Sequence, residues 1–474
     1  MASKWPRVRI SEVCELIVDC VNKTAPKSEF PTEFKMLRTP NVKNGRVDTS
    51  NCFYVTEDTY LKWTRRATVN RNDVLLTREA PLGEVGIVKS EEKLFLGQRL
   101  MQYRADQTKL DPDFLAYSFL SPDLQHQFRM HEGSGSVVSH IRVGDCSKFE
   151  INLPPLTTQK SIAKILGELD QRIELNRKTN QTLEQMAQTL FKSWFVDFDP
   201  VVDNALAAGK PIPDELLHRV EVRKKAHALA DFQPLPEHIR NLFPSEFEQT
   251  GEPTVGINGW VPKGWQVTNM HQMVETVSKT YNLKEVDEVI FLNTSDIESG
   301  KVLHNEYSQT IGLPGQAKKT IKKGDILYSE IRPQNKRYAF VDFDAEEYVV
   351  STKLMVLRAK EGIEPLLPYF LLTQEETVNE LQRVAEHRSG TFPQITYKEL
   401  SKVLTVLPRE AELVTLFVEQ YLKPSYAKKA SLTQQNTQLT KIRDTLLPKL
   451  ISGEIQLDSS GSSSINQEAE VQGV

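Results

Sequence analysis

The sequence lacks the features that mark secreted, membrane-spanning and metal-binding proteins. It has only four cysteines among 474 residues, all in its first third and none in a CxxC pair, which argues against a disulfide framework or a zinc site and favours reduced core thiols. No apolar run approaches the roughly 18 residues that a membrane span needs, and the first residues contain no hydrophobic signal segment. We therefore expect a cytoplasmic protein without a membrane partner.

Motifs for catalysis are missing as well. The sequence has no Walker A loop, no G-x-G-x-x-G after a predicted strand and no paired histidine spacing typical of metal ligands. Amino-methyltransferases hold a flipped base with an Asn/Asp-Pro-Pro-aromatic tetrad, but Leu153-Pro154-Pro155-Leu156 lacks the polar first residue. A net charge of −4 also differs from that of a simple nucleic-acid-binding domain. These absences predict that the chain is not an enzyme and binds no cofactor itself.

The longest regular pattern is a predicted helix over residues 157–196. Two stripes with a seven-residue repeat follow it, which is typical of a long helix packed along another helix. One stripe contains Ile162, Leu169, Asn176, Leu183 and Leu190, and the other contains Leu166, Ile173, Asn180, Ala187 and Trp194. If the two asparagines are buried, they fix the register with the partner helix; alternatively, they form a solvated break in the apolar face. At 1.5 Å per residue the helix is roughly 55 Å long, which suits a spacer.

The remainder of the chain contains a weak internal repeat with a period near 255 residues. Residues 37–47 match 292–302, residues 72–77 match 324–329, and residues 98–101 match 352–355, always in the same order. The second copy is again followed by a predicted helix, in which Leu432, Leu439 and Leu446 are seven residues apart. Pro424 predicts a break or kink in that helix. A duplicated domain followed each time by a long helix is therefore the expected plan.

We predict an α/β or α+β fold with two globular domains and two long helices, packed as an antiparallel coiled coil and related by a pseudo-twofold internal repeat. In chain order we expect a first domain at 1–156, a helix at 157–196, a Pro-rich acidic linker at 197–262, a second domain at 263–408, a helix at 409–452 and a disordered tail at 453–474. The predicted helix-pair interface consists of Ile162, Leu166, Leu169, Ile173, Asn176, Asn180, Leu183, Leu190, Leu432, Leu439 and Leu446.

Basic and hydroxyl-bearing segments recur in both copies and suit a nucleic acid. Arg and Lys contact phosphates, and Arg or Gln can also read base edges through paired hydrogen bonds. The corresponding positions are Arg65 and Arg66 with Lys318 and Lys319, Arg78 with the loop of Arg332, Lys336 and Arg337, and Ser134 and Ser136 with Thr391. A solvated surface is the alternative for each basic cluster, and a flexible turn is the alternative to an anion-binding nest at Ser134 and Ser136.

The chain resembles the specificity (S) subunits of type I restriction–modification systems along nearly its whole length. The residues that carry the resemblance are 153–201, the block LLTREAPLGEVGIV at 75–88 with GQRL at 97–100, and LLPKLISGEI at 446–455. Thr77, Arg78, Gln98 and Arg99 match the family's blocks in the first domain. In the second domain Glu330 stands opposite Arg78 and Lys353 opposite Arg99, which suggests that the two halves read different sequences.

The resemblance implies a DNA-specificity role. Two target recognition domains would each read one half of a split double-stranded DNA sequence, and the helix pair would set the gap and dock two methyltransferase (M) subunits. Restriction and translocation (R) subunits would join them. S-adenosylmethionine would then belong to the M subunits, and ATP and Mg²⁺ to the R subunits. Two alternatives stay open: a divergent nuclease or methyltransferase, and a duplicated coiled-coil scaffold that binds proteins.

Overall fold

The computed structural model describes residues 4–130, 140–388, 391–455 and 457. The chain forms two compact units, Met1–Asn176 with Gln434–Val474 and Arg177–Thr433. Each unit therefore takes part of both long helices, whereas the predicted domains ended where those helices begin.

The first unit combines a mixed sheet of order β2-β10-β7-β8-β5-β4 with a sheet of order β6-β3-β9 and a pair β1-β11. Its strands are β1 Arg7–Arg9, β2 Cys14–Asp19, β3 Phe34–Leu37, β4 Val42–Lys43, β5 Gly45–Val47, β6 Phe53–Tyr54, β7 Val74–Thr77, β8 Val85–Ile87, β9 Lys93–Leu96, β10 Leu100–Ala105 and β11 Glu150–Asn152. Its helices are α1 Glu57–Trp63, α2 Pro112–Leu120 and α3 Pro122–Met130, followed by the long helix α4 Leu156–Phe195. The apolar run of β7 is buried on both faces, because α2 covers this sheet.

The second unit contains sheets of order β15-β24-β21-β22 and β19-β16-β23-β20, with the pairs β12-β13, β14-β25 and β17-β18. Its strands are β12 Phe247–Gln249, β13 Trp260–Pro262, β14 Trp265–Asn269, β15 Val274–Val277, β16 Glu288–Leu292, β17 Ile297–Glu298, β18 Lys301–Val302, β19 Ser308–Gln309, β20 Ala317–Thr320, β21 Ile326–Ser329, β22 Tyr338–Phe340, β23 Tyr348–Ser351, β24 Leu354–Ala359 and β25 Leu404–Pro408. Its helices are α5 Asp199–Ala207, α6 Leu217–His227, α7 Glu237–Arg240, α8 Met270–Met273, α9 Leu366–Thr373, α10 Glu375–Arg388, α11 Tyr397–Leu400, α12 Ala411–Phe417 and α13 Lys423–Ser452, the last of which extends into the first unit.

The two units share one topology, which confirms the repeat predicted from the sequence. The order β2-β10-β7-β8 in the first unit corresponds to β15-β24-β21-β22 in the second. The parallel pair β3-β9 corresponds to β16-β23, and the antiparallel pair β1-β11 corresponds to β14-β25. Parallel and antiparallel strands in the same sheets, with helices packed on them, make the fold a mixed α/β one, as predicted.

A buried carboxylate–guanidinium pair holds the central strands of each unit. In the first unit, Arg104 on β10 donates from Nε and Nη2 to the two carboxylate oxygens of Asp73, at 2.8 and 2.9 Å. In the second, Arg358 on β24 makes the same two bonds to Asp325, both at 2.8 Å. Both aspartates are fully buried, and these bonds raise the pKa of each arginine. Two-point bonding of this kind is among the strongest that a side chain makes.

Where the long helices pair, their residues run in opposite directions. Within the first unit, Arg443 Nη1 donates to Asp170 Oδ1 at 2.9 Å, and Asn176 Nδ2 donates to Asn436 Oδ1 at 3.0 Å. Residue numbers therefore increase along α4 as they decrease along the facing part of α13, so the two helices pack antiparallel. In the second unit Asn180 Nδ2 donates to Thr433 Oγ1 at 3.3 Å.

The second predicted stripe is the more deeply buried of the two. Leu166, Ile173, Ala187 and Trp194 are all buried, whereas Leu169, Leu183 and Leu190 of the other stripe are half-buried. In the first unit, Ile162 and Leu166 share a core with residues near the end of α13. In the second, Trp194 packs on Phe243 and Phe417.

Of the predicted break or kink at Pro424, the break is not found, because the helix continues through this residue. A π-helical turn, Val418–Leu422, joins α12 directly to α13, and Pro424 lies at the second position of α13. The π-helical turn shifts the backbone hydrogen bonding just before Pro424, which has no N–H to donate.

The linker contains more helix than the sequence predicts, because two of its acidic residues form ion pairs with arginines. Residues 199–240 form α5, α6 and α7 rather than one short helix. Arg219 on α6 donates to Asp199 Oδ1 at 2.6 Å, and Arg223 donates to Asp203 Oδ1 at 2.9 Å. These pairs tie α5 to α6, and Val202 packs with Leu216 and Val220 between them.

The predicted tail starts too early. Ile455 and Leu457 are half-buried against the core of the first unit, and the backbone N–H of Ile455 donates to Lys449 O at 3.2 Å. Ile455 and Leu457 therefore extend the first unit beyond the end of α13, and most of the remaining predicted tail lies outside the described residues.

We expect Asp73→Ala to lower the free energy of unfolding of the first unit by about 3–5 kcal/mol, because it leaves Arg104 without its buried partner. Urea denaturation measures this loss. Glu91→Ala is the control, since the Glu91–Arg71 pair is exposed, and removing such a pair costs below about 1 kcal/mol. Equal effects of the two variants would contradict the role given to Asp73.

We expect Ile173→Asp to destabilise the chain by at least about 3 kcal/mol, because it places an unpaired charge at a buried position of α4. Met186→Asp introduces the same residue into the same helix at a position that is 63% exposed. Its effect should stay within about 0.5 kcal/mol. Urea denaturation of both variants checks the orientation of the helix, and a reversed order would show that the buried face is misassigned.

Candidate nucleic-acid interface

In the first unit, the backbone at Arg78, Arg99 and Ile141 meets at the ends of β7 and β10, where Thr77 pairs with Leu100. The backbone N–H of Arg78 donates to Arg99 O at 2.8 Å, and the backbone N–H of Ile141 donates to Arg78 O at 2.9 Å. We call the segments 23–24, 62–66, 77–84 and 97–99 the first loop edge. Left-handed backbone conformations at Ala80 and Arg99 shape two of its turns.

Among the predicted residues of segments 77–84 and 97–99, Gln98 and Arg99 face solvent. Arg99 Nε lies 2.9 Å from Glu79 Oε1, and its side chain is 50% exposed, so the guanidinium keeps free donors. Arg78 is half-buried and donates from Nη1 to Ile141 O at 3.1 Å. Sequence reasoning missed Glu79, which is the carboxylate that orients Arg99.

The structure corrects the prediction for Thr77, which is fully buried. Its Oγ1 accepts a hydrogen bond from the backbone N–H of Glu84 at 2.9 Å. Because the hydroxyl is used to close the loop after β7, Thr77 positions that loop instead of facing a ligand.

The basic cluster after α1 joins the same edge through residues that the sequence analysis did not select. Trp63 Nε1 donates to Lys23 O at 3.3 Å, and Thr24 Oγ1 donates to Gln98 Oε1 at 3.3 Å. Arg65 is exposed and, within the part of the chain that the structure describes, donates to a backbone carbonyl, Lys62 O, and has no ion pair, whereas Arg66 is paired with Asp19. Arg65 therefore offers the freer charge of the two predicted arginines.

The second unit repeats this backbone junction. The N–H of Glu330 donates to Lys353 O at 3.0 Å, and the N–H of Ile395 donates to Glu330 O at 2.8 Å. Segments 279–281, 318–320, 330–337, 352–353 and 391–395 form the second loop edge. Glu330 thus takes the place that Arg78 has in the first unit, and Lys353, 3.6 Å from Glu330 Oε2, takes the place of Arg99.

Exposed cations of the second loop edge include Lys318, Arg332 and Lys336. Arg332 and Lys336 have left-handed backbone conformations, with φ of 44° and 52°, and flank a short 3₁₀ turn that presents them on the surface. None of the three has an acidic partner among the residues that the structure describes.

Lys319 and Arg337 were both predicted to contact DNA, but their charged groups bond to backbone carbonyls inside the second unit. Lys319 Nζ donates to Leu354 O at 2.8 Å and to Thr352 O at 3.1 Å, and burial lowers its pKa. Arg337 Nη1 donates to Ile297 O at 3.0 Å and to Ser295 O at 3.2 Å. Both cations hold neighbouring strands, so the structure corrects their assignment to a ligand-facing surface.

Thr391 is exposed on the second loop edge, whereas Ser134 and Ser136 lie outside the described residues.

Other kinds of site were also sought in the described part of the chain. No group of three or more His, Cys, Asp or Glu side chains there could hold a metal ion. No helix there is both long and apolar enough to cross a membrane. The loop edges are therefore the best-defined candidate sites.

The model of the type I restriction modification DNA specificity domain matches residues 2–185 and 262–412. The chain belongs to this family. The two matched regions include the two loop edges, and the resemblance drawn from the sequence is confirmed. Each copy of the internal repeat thus corresponds to one region of the specificity-domain match.

Individual relatives are similar over different parts of the chain. A 145-residue segment is 46% identical to the type I restriction enzyme HindI specificity subunit of Haemophilus influenzae and spans 30% of this chain and 32% of that subunit, about a third of its length. The type I restriction enzyme MjaIX specificity subunit of Methanocaldococcus jannaschii is 24% identical over 388 residues, which are 82% of this chain and 78% of that one. The S subunit of a type I restriction–modification system from M. genitalium aligns with 95% of this chain and 96% of its own, with 13% identity and a TM-score of 0.47.

Lys318 and Lys319 provide an internal test of the second loop edge. Lys319→Ala removes two internal hydrogen bonds and should lower the free energy of unfolding by about 1–3 kcal/mol. Lys318→Ala should leave stability within about 0.5 kcal/mol but weaken DNA retention by a complex that contains this chain. Urea denaturation and DNA binding are measured for both variants, and equal losses of stability would contradict the different orientations of the two side chains.

Proposed function

We propose that this chain is the DNA-specificity subunit of a type I restriction–modification complex, in which each unit reads one half of a bipartite target. The observation that carries this proposal is the duplication of the loop edge. The same backbone junction occurs twice, at Arg78 and at Glu330, on sheets of the same strand order. A protein that reads two separate half-sites needs two such surfaces on one chain.

Differences between the side chains of the two edges support the reading of two different half-sites. The first edge has Arg99 next to Glu79, and the second has Lys353 next to Glu330 with Arg332 and Lys336 in the adjoining loop. Arg pairs with two acceptors of guanine in a fixed geometry, whereas Lys presents a point charge. The edges therefore offer different donor patterns on the same backbone frame.

Exposed cations that have no acidic partner among the described residues supply the contacts to DNA phosphates. Lys62 and Arg65 fill this role in the first unit, and Lys318 and Arg332 do so in the second. Such contacts provide most of the affinity for DNA and fix the position of the protein on the duplex, while base contacts provide specificity.

The helix pair α4 and α13 sets the distance between the half-sites and docks two M subunits. Half-sites one DNA turn apart are separated by about 35 Å, and a helix of 40 residues is about 60 Å long. The M subunits bring S-adenosylmethionine for adenine methylation, and R subunits bring ATP and Mg²⁺ for translocation and cleavage. This chain catalyses neither reaction and acts in the cytoplasm of a prokaryotic cell.

The decisive experiment is a methylation map. The chain is co-expressed with the M subunit encoded beside it, in a host without other DNA methylation, and the modified adenines are sequenced. We expect a two-part motif with a fixed gap, and we expect replacement of residues 1–156 by those of another specificity subunit to change one half of it only. Purified chain without M subunits should neither methylate nor cut DNA.

If the chain is instead a duplicated scaffold that binds proteins, the methylation map should give a different result. Methylation that is absent, or identical without this chain, would contradict the proposal, as would turnover by the isolated chain. Met186→Asp is not a suitable control here, because its side chain lies on the surface of α4 that M subunits could cover. Lys225→Ala, on the exposed face of α6, is the matched variant and should leave the motif unchanged.

A further inference from the structure

One aromatic ring of the first unit lies between two cations. Phe53 is on β6, which pairs with β3. Lys27 Nζ lies 3.6 Å from the centroid of its ring, and the guanidinium carbon of Arg38 lies 3.7 Å from the same centroid. Two charged groups at these distances would overlap if they shared a face, so they lie on opposite faces of the ring. We call Lys27, Phe53 and Arg38 the cation sandwich.

The cation sandwich adjoins the first loop edge. The carbonyl of the residue before Arg38 accepts a hydrogen bond from the backbone N–H of Gly97 at 2.7 Å. Glycine permits this approach, because a Cβ at Gly97 would lie 2.4 Å from the same carbonyl oxygen. Lys27 follows closely after Thr24, whose Oγ1 donates to Gln98 Oε1 at 3.3 Å. Because both cations lie on the same ring, both are held beside the first loop edge.

The charges of the cation sandwich are not compensated, unlike those of two neighbouring cations. Lys93 and Lys35 also lie over rings on β3 and β6, at 4.9 and 5.9 Å from the centroids, but each of them pairs with a glutamate. Lys27 is exposed and Arg38 is half-buried, and neither has an ion-pair partner among the residues described in the structure. Arg38 instead donates from Nη2 to a neutral acceptor, Asn51 O, at 3.1 Å.

Two uncompensated charges on one ring repel each other, so this arrangement does not benefit the stability of the chain. Cation–π contacts with Phe53 fix the position of each charge without neutralising it. An anion that binds there relieves the repulsion and meets donors that need little further ordering. Backbone phosphates are the anions that DNA would bring to the first loop edge, and Arg and Lys are the side chains that usually contact them.

The second unit keeps the backbone at this place but not the cation. The turns Thr39–Asn41 and Thr294–Asp296 follow β3 and β16. The side chain at the end of each turn accepts a hydrogen bond from the backbone N–H of Arg38 or Asn293, at 2.9 and 2.7 Å. Arg38 and Asn293 are therefore structurally equivalent, and the same turn forms with a neutral side chain at this position.

We propose that Lys27 and Arg38, held on Phe53, each bind a backbone phosphate in the half-site that the first unit reads. This inference rests on the proposed function, because it assigns contacts within the same DNA complex. A phosphate carries no base identity, so these contacts contribute equally to the binding of target and non-target DNA and fix the first unit on the duplex. Asn293 offers no such charge to the other half-site.

The test uses the complex of the full chain with its M subunits, on target duplex and on unrelated duplex, across a series of salt concentrations. Each phosphate contact contributes about 0.9 to the slope of log affinity against log salt. We expect Lys27→Gln and Arg38→Asn each to reduce that slope by about 0.9, and the double variant by about 1.8, with weaker binding to both duplexes and an unchanged methylation motif. Arg38→Asn introduces the residue that the second unit has in the same turn, so it removes the charge and keeps a compatible backbone.

Lys93→Gln is the matched control, because it removes a cation that lies over a ring of the same sheet but is paired with Glu33. Its slope should equal that of the unmodified chain. Lys27→Arg and Arg38→Lys keep both charges and should keep the slope as well. Equal losses of slope in the Lys93 and Lys27 variants would contradict the role given to the uncompensated charges.

Two further outcomes separate this inference from the proposed function. If the unmodified complex writes a two-part motif but the double variant keeps its full slope, the phosphate role is refuted and the proposed function stands. If the unmodified complex writes no motif, the proposed function itself fails. A changed motif in either single variant would overturn the phosphate assignment in favour of base contact.

Discussion

In each unit a fully buried aspartate must be matched by an arginine from the neighbouring strand, and the remainder of the sheet depends on this pair. Asp73 and Asp325 lie just before the first residues of β7 and β21, and Arg104 and Arg358 lie near the last residues of β10 and β24. An unpaired buried charge is costly, so these pairs fix the register of the two central strands. The loop edges emerge from the other ends of the same strands. One end of the sheet is thus held by a repeated pair of charges, while the other end can change its side chains without loss of the frame.

The helix pair uses polar groups in a comparable way. Asn176 is buried and bonds to the side chain of Asn436, and Arg443 bonds to Asp170. Within the second unit, Glu184 pairs with Lys429 and accepts a bond from Tyr426 OH at 3.1 Å. Polar groups of this kind contribute less stability than apolar ones but favour one alignment of the two helices over shifted ones. A spacer that sets a gap between half-sites requires such a unique alignment.

The sequence was sufficient to predict the features that depend on local pattern. The repeat, the mixed fold and the long helix follow from matched segments, apolar periodicity and proline positions, and the predicted helix 157–196 differs by one residue at each end from Leu156–Phe195. The order of the strands and the parallel pairs β3-β9 and β16-β23 did not follow, because they depend on contacts between distant segments. The linker helices were missed because their stability comes from the pairs Arg219–Asp199 and Arg223–Asp203.

For the candidate site, the sequence could not predict which side chains face solvent and which face the interior. Lys318 and Lys319 are neighbours on β20, and successive side chains of a strand point to opposite faces. The pairing of β20 with β23 is also irregular between Ala317 and Lys319, and the sequence contains no signal that identifies which of the two lysines is directed inward. Thr77 is a related case, since a hydroxyl at the end of a strand suits either a ligand or the closure of a turn.

The net charge of −4 is compatible with DNA binding because the acidic residues are distributed unevenly. Asp199 and Asp203 of the linker are neutralised by Arg219 and Arg223, and Asp73 and Asp325 are neutralised within the sheets. Exposed charges further apart than about 10 Å hardly influence each other at moderate ionic strength. A phosphate at a loop edge is therefore affected chiefly by the nearby cations there, of which Arg65 and Lys318 are exposed and have no ion-pair partner within the described ranges of the chain. Other edge cations do have a carboxylate beside them: Glu79 lies beside Arg99, Asp19 beside Arg66, and Glu330 beside Lys353.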